Sequence, residues 1–151
     1  MIIIDSNTVI ACFNDHRSLA GLDLVVPDDL YEEYLAAEVR HGQKINGIRL
    51  ASTIKGYDEA AYLRKYAEAI NGYSHISFDK MRGLGDVSIL ALVACLVTNF
   101  DKALPQIALN LGESAKNIIR VVTDDNNLRK KLQNDFGEFV EVVNYEEFCK
   151  P

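Results

Sequence analysis

Tryptophan is absent, and cysteine, histidine and proline occur only three times each in 151 residues. Cys12, Cys95 and Cys149 stand far apart with no C-x-x-C pair, which argues against a disulfide framework. They read as small hydrophobes in a reducing compartment. His16, His41 and His75 are equally scattered, so there is no zinc-finger spacing and little support for a histidine-based triad. Any metal here would be a hard one held by oxygen. Three prolines and nine glycines leave no room for a Pro/Gly-rich linker. No apolar run reaches the roughly 18 residues of a membrane span, and the longest, over 87–97, is broken by Ser88. No basic stretch precedes Asp5, so the start does not read as a signal peptide and the expected setting is cytoplasmic, away from membranes. Positive charge is also short, with 16 Lys and Arg against 22 Asp and Glu. Taken as a total, that balance speaks against a nucleic-acid binder.

What is present suits one domain over residues 1–151, because 48% of the chain is hydrophobic and a single core is usual at this length. Ile2, Ile3 and Ile4 form a β-branched run that reads as a buried strand, and Asp5, Ser6 and Asn7 supply helix-start residues after it. A second strand over 24–26 ends at Pro27, and Asp28 or Asp29 can cap the helix that follows through Tyr34 and Leu35. Between Gln43 and Asn71 the apolar spacing predicts two helices separated by Gly56. A short extended piece fits 76–78, and an apolar helix runs from Asp86 to about Phe100. Beyond it the pattern predicts a helix over 103–111, a strand over 118–122, a helix from Asn126 or Asn127, a strand over 139–143 and a short helix from Tyr145. Strands alternating with helices indicate a three-layer α/β/α sandwich with a mostly parallel central sheet, in which ligands bind at the carboxyl ends of the strands.

The informative pattern is which acids sit beside apolar runs. Asp5 closes the first strand, Glu33 falls in the opening turns of its helix, Asp86 starts the most apolar helix, and Asp124 and Asp125 follow Val121-Val122-Thr123. Taken singly, each acid at a helix start has a capping explanation. If the first and fourth of the expected strands are central neighbours, three or four carboxylates converge on one end of the sheet. Like charges about 4 Å apart repel by about 4 kcal/mol at an effective dielectric near 20. Such a cluster calls for a compensating cation or raised pKa values. Mg²⁺ or Mn²⁺ suits carboxylate oxygens, and carboxylate-held Mg²⁺ favours phosphoryl chemistry.

Five stretches, in order, resemble the PIN-domain ribonucleases, the family that includes VapC-type toxins. They are Ile2-Ile3-Ile4-Asp5-Ser6-Asn7-Thr8-Val9-Ile10; Val25-Val26-Pro27 with Leu30 and Glu33; Gly85-Asp86-Val87-Ser88-Ile89-Leu90-Ala91; Val121-Val122-Thr123-Asp124-Asp125 with Leu128-Arg129; and Val142-Val143-Asn144-Tyr145-Glu146-Glu147-Phe148. The resemblance implies a metal site of Asp5, Glu33, Asp86 and Asp125, with Mg²⁺ or Mn²⁺ as cofactor and RNA as substrate. It selects Asp125 over Asp124 by the distances to Thr123 and Leu128, and Glu33 over Glu32 by position after Pro27. Asn7, Thr123 and Asp124 are supporting positions, Asn7 and Thr123 matching residues that orient a carboxylate or a metal-bound water. The resemblance further implies a homodimer and, in the toxin setting, an antitoxin protein as partner. The stretch 87–122 is longer than the family's usual spacing, and 43–71 is hard to align with it.

Charge resolved by position changes the meaning of the total. Residues 1–39 balance at −7, residues 40–82 at +4 and residues 83–151 at −3. The positive middle also carries Tyr57, Tyr62, Tyr66 and Tyr73, and basic side chains among aromatics can hold phosphates and stack bases. Here the tyrosines read as a core or dimer face, while Arg40, Lys44 and Arg49 are expected to contact RNA phosphates. Arg129, Lys130 and Lys131 read as a solvated helix face. Two other functions compete: a catalytically silent PIN-like domain that binds RNA or scaffolds an assembly, and a Mg²⁺-dependent phosphatase similar to the haloacid dehalogenases. The second is disfavoured because Asn7 stands where a second Asp would follow a nucleophilic Asp5, and because Gly85-Asp86 precedes Val122-Thr123.

Overall fold

A computed structural model describes residues 1–54, 56–74, 83–100 and 119–150. The extended piece expected at 76–78 and the helix at 103–111 lie outside the described residues. Strand β1 (Ile2–Ile4) leads into helix α1 (Ser6–Asn14), and β2 (Leu24–Val26) leads through a 3-10 turn (Asp28–Leu30) into α2 (Tyr31–His41). Next come β3 (Arg49–Leu50), a 3-10 turn (Ala51–Thr53), α3 (Glu59–Gly72) and α4 (Leu84–Phe100). The chain closes with β4 (Ile119–Val122), α5 (Asn126–Phe136), β5 (Val140–Val143) and α6 (Tyr145–Cys149).

The five strands form one parallel sheet in the order β3-β2-β1-β4-β5. Ile3, Ile4, Val25, Val26, Val121 and Val122 are all at most 1% exposed, as strands covered on both faces must be. Helix α1 packs on α2, while α3 packs on α4 and α4 on α5. With right-handed crossovers these are the two outer layers of an α/β/α sandwich. The chain winds outward from β1 to β3, crosses back and continues through β4 to β5, so the order reverses between β1 and β4. Ile2, Ile3 and Ile4 pair with Arg120, Val121 and Val122 across that boundary.

Helix α4 is apolar all round, and every residue from Val87 to Val97 is buried, which makes it an inner helix rather than an amphipathic cover. Leu92 at its middle is fully buried. Leu92→Ala is expected to lower unfolding free energy by about 2–5 kcal/mol, read from the denaturation midpoint at unchanged slope.

The first of the two helices expected between 43 and 71 is replaced by β3 and its 3-10 turn. Ile45, Ala51 and Ile54 are buried as the spacing suggests. However, Gly42 and Gly47 adopt left-handed backbone angles (φ 63 and 79) that stop a helix. The freed segment pairs Arg49 and Leu50 with Val25 and Val26. The second helix, α3, forms as expected with Asp58 as its cap.

Candidate active site

Each strand of a parallel sheet ends on the same edge, and the ends of β1 and β4 are adjacent. The Asp5 amide extends the ladder one step, donating to the Val122 carbonyl at 3.2 Å, which fixes where its side chain starts. Asp5 Oδ1 accepts the Thr8 amide at 2.7 Å and so caps α1. Its other oxygen, Oδ2, accepts the hydroxyl of Thr123, the fully buried residue that follows β4. The same hydroxyl accepts the Asp125 amide at 3.1 Å, and Asp125 Oδ1 caps α5 through the Leu128 amide at 2.8 Å. Thr123 therefore ties together two carboxylate-bearing turns on neighbouring strands. The capping explanation holds for both aspartates, and it leaves both beside the point where the strand order reverses, the usual ligand position in such sheets.

Asp86 reaches this edge from a third element. It lies half-buried in the first turn of α4 and accepts the Tyr73 hydroxyl at 2.9 Å. Burial and the charge of Asp86, with a smaller contribution from Asp125, push the Tyr73 phenol well above its usual range. Tyr73 thus keeps its proton and sits in the field of both carboxylates. Tyr34 plays a similar part on the other side. Its ring is buried, its hydroxyl donates to the Ile4 carbonyl, and burial followed by the charges of Asp5 and Glu33 holds its phenol protonated. Glu33 itself is exposed near the start of α2, one residue before Tyr34.

Of the four acids carried over from the resemblance, Asp5 and Asp125 are linked through Thr123, Asp86 is held by Tyr73, and Glu33 precedes Tyr34, which bonds the end of β1. They do not close into one cluster. Among the described residues no group of three or more His, Cys, Asp or Glu side chains is placed to hold a metal ion. The donor chemistry nevertheless fits a hard divalent cation, since every candidate ligand offers carboxylate oxygen. Asp124 turns elsewhere, accepting the Tyr145 amide at 2.8 Å and fastening α6. Asn7 is exposed in the first turn of α1, beside Asp5 in sequence.

The three basic residues expected to hold RNA lie away from this edge. Helix α2 starts at the carboxyl end of β2 and runs back, so Arg40 in its last turn, and Lys44 just beyond it, lie toward the opposite end of the sheet. Arg49 pairs with Asp23, the residue before β2, at 2.6 Å, and Asp23 also meets the N-terminal amine at 3.6 Å. The tyrosine expectation fares better. Tyr62 is buried and ring-to-ring with Tyr57 and Tyr66 at 5.8 and 6.1 Å, as core side chains are.

Tyr73, Tyr34, Asp29 and Ser88 are the site neighbours that the sequence reading missed. Asp29 accepts the Tyr62 hydroxyl at 2.7 Å and the Ser88 hydroxyl, so the start of α2 is bolted to α4 one half-turn beyond Asp86. Ser88 was visible as the one break in the apolar run, and a buried hydroxyl needs a partner. Nothing in the spacing singled out Tyr73.

The fold and site together define a doubly wound parallel α/β protein with carboxylates at its switch point. No family model matches the chain, and no curated protein or solved structure matches it.

Proposed function

We propose that this protein is a metal-dependent ribonuclease of the PIN-domain type, hydrolysing RNA phosphodiester bonds. The observation that carries the reading is the junction of Asp5 and Asp125 through the Thr123 hydroxyl at the carboxyl ends of β1 and β4, with Asp86 drawn to the same edge. Asp5, Asp86 and Asp125 would hold Mg²⁺ or Mn²⁺, with Glu33 as a further ligand or as the group that positions the attacking water. The metal supplies a lowered pKa for bound water and a counter-charge for the phosphoryl oxygens. The protein's own part is orientation: Thr123 fixes Asp5, Tyr73 fixes Asp86, and Tyr34 anchors the end of β1. Helix α5 begins at Asp125 and aims its positive end at the same edge, which favours an approaching phosphate. In the toxin setting that goes with this reading, the protein works in the cytoplasm as a homodimer held inactive by an antitoxin. The strongly acidic first 39 residues suit a basic antitoxin segment.

A silent RNA-binding scaffold draws on one observation, that among the described residues no three carboxylates meet. Calorimetric titration with Mg²⁺ separates the two. The nuclease reading expects saturable binding that Asp5→Asn and Asp125→Asn each weaken, and a scaffold expects heats no different from dilution. A chromogenic phosphate monoester, turned over by a phosphatase of the haloacid-dehalogenase type, is expected to stay intact.

A further inference from the structure

A cleft of about 190 Å³ opens between the end of α3 and the exposed side of α5. Tyr73 and Ser74 form one wall, and Asn127, Lys130, Lys131 and Asn134 form the other. Among the described residues no carboxylate lines it, in a chain whose net charge is −6. Among the same residues it offers two ammonium groups, two amides and the Ser74 hydroxyl as hydrogen-bond donors, while the Tyr73 hydroxyl donates to Asp86. Lys131 is paired with Asp135 at 2.9 Å, while Lys130 is exposed and makes no ion pair among the described residues.

Position matters as much as charge. The Tyr73 ring that walls the cleft is the one whose hydroxyl bonds Asp86, and Asn127 follows Asp125 by two residues in the first turn of α5. The cleft therefore shares Tyr73 with Asp86 and the start of α5 with Asp125, which Arg40, Lys44 and Arg49 do not.

We propose that this cleft binds a backbone phosphate of the RNA strand, with Lys130 and Lys131 as its charged contacts and Asn127 and Asn134 as hydrogen-bond donors. The inference rests on the nuclease reading for the identity of the strand, and it replaces the 40–49 segment as the RNA-holding surface. A strand seated here passes Tyr73 and presents its next phosphodiester to Asp86 and Asp125. The lysines act on substrate binding and leave the carboxylates untouched.

The test is binding of a fluorescent single-stranded oligoribonucleotide in EDTA, where no strand is cut, across a range of salt. Each phosphate contact on a single strand contributes about 0.7 to the slope of log affinity against log salt. The Lys130→Gln/Lys131→Gln variant is thus expected to flatten the slope by about 1.4, about a sevenfold difference over a fourfold rise in salt. Lys130→Arg/Lys131→Arg should bind like wild type, and the Arg40→Gln/Lys44→Gln/Arg49→Gln variant should keep the wild-type slope. An unchanged slope in the double glutamine variant, or no RNA binding by wild type, overturns the proposal. Mg²⁺-dependent cleavage is followed on the same preparations. Cleavage by wild type with lysine-independent binding removes the cleft and spares the nuclease; lysine-dependent binding without cleavage upholds the cleft and counts against the nuclease.

Discussion

Asp86→Asn is expected to lower Mg²⁺-dependent RNA cleavage by at least about a thousandfold while leaving the fold in place. The substitution removes one negative charge and keeps the size and shape of the side chain. An asparagine carbonyl can still accept the Tyr73 hydroxyl that Asp86 accepts at 2.9 Å, so the contact between the end of α3 and the start of α4 survives. Losing a favourable charge at a helix N-terminus costs about 0.3–1 kcal/mol of stability. The catalytic cost is larger. Metal stabilisation of a phosphoryl transition state is worth several kcal/mol, and about 4 kcal/mol corresponds to a thousandfold in rate. Circular dichroism and the denaturation midpoint establish the fold, and labelled RNA reports the activity. A well-folded Asp86→Asn protein that cleaves RNA at the wild-type rate would remove Asp86 from the site.

Thr123→Val should produce the second large effect, by a different route. Valine matches threonine in shape, yet it cannot donate to Asp5 or accept the Asp125 amide, and the site is fully buried. Leaving that amide without its partner costs about 1–3 kcal/mol. Losing an outer partner of a metal ligand typically costs about 10–100-fold in metal affinity or activity. Cleavage should therefore fall within that range, with a higher Mg²⁺ concentration needed for half-maximal rate. Thr123→Ser keeps the hydroxyl and should restore both. This split separates a positioning residue from one that only supports the fold: a purely structural role predicts a lower midpoint with an unchanged Mg²⁺ requirement.

Much of the architecture was legible because it rests on local chemistry. The β-branched runs at Ile2–Ile4, Leu24–Val26 and Ile119–Val122 became the three inner strands, and Asp5, Asp58 and Asp125 cap helices as their types suggest. Among the described residues every strand pairing is parallel, in keeping with the mostly parallel sheet expected. Strand β3 was hidden because it is two residues long on an edge, where pairing with Val25 and Val26 outweighs the three- and four-residue spacing of its neighbours.

The candidate site was legible in part for the same reason. Acids at strand-to-helix junctions can be read in sequence, and the pairing of β1 with β4 brings two of them together. The links among them are long-range: Thr123 to Asp5 spans 118 positions and Ser88 to Asp29 spans 59. Contacts of that separation leave no mark on local periodicity. Charge counted along the sequence also says nothing of which end of the sheet it reaches. Arg49 faces Asp23 at one end, while Lys130 and Lys131, in a segment of net negative charge, line the cleft beside Tyr73.

The central claim is hydrolysis of RNA by carboxylates at the carboxyl ends of β1 and β4. Its most direct measurement is cleavage of an end-labelled RNA by the purified wild-type protein and by Asp86→Asn in parallel, with Mg²⁺ and then with excess EDTA. The account predicts products from wild type in Mg²⁺ alone, none in EDTA, and none from the variant. Cleavage that persists in EDTA, or that is equal in the two proteins, would contradict it, as would intact RNA under every condition.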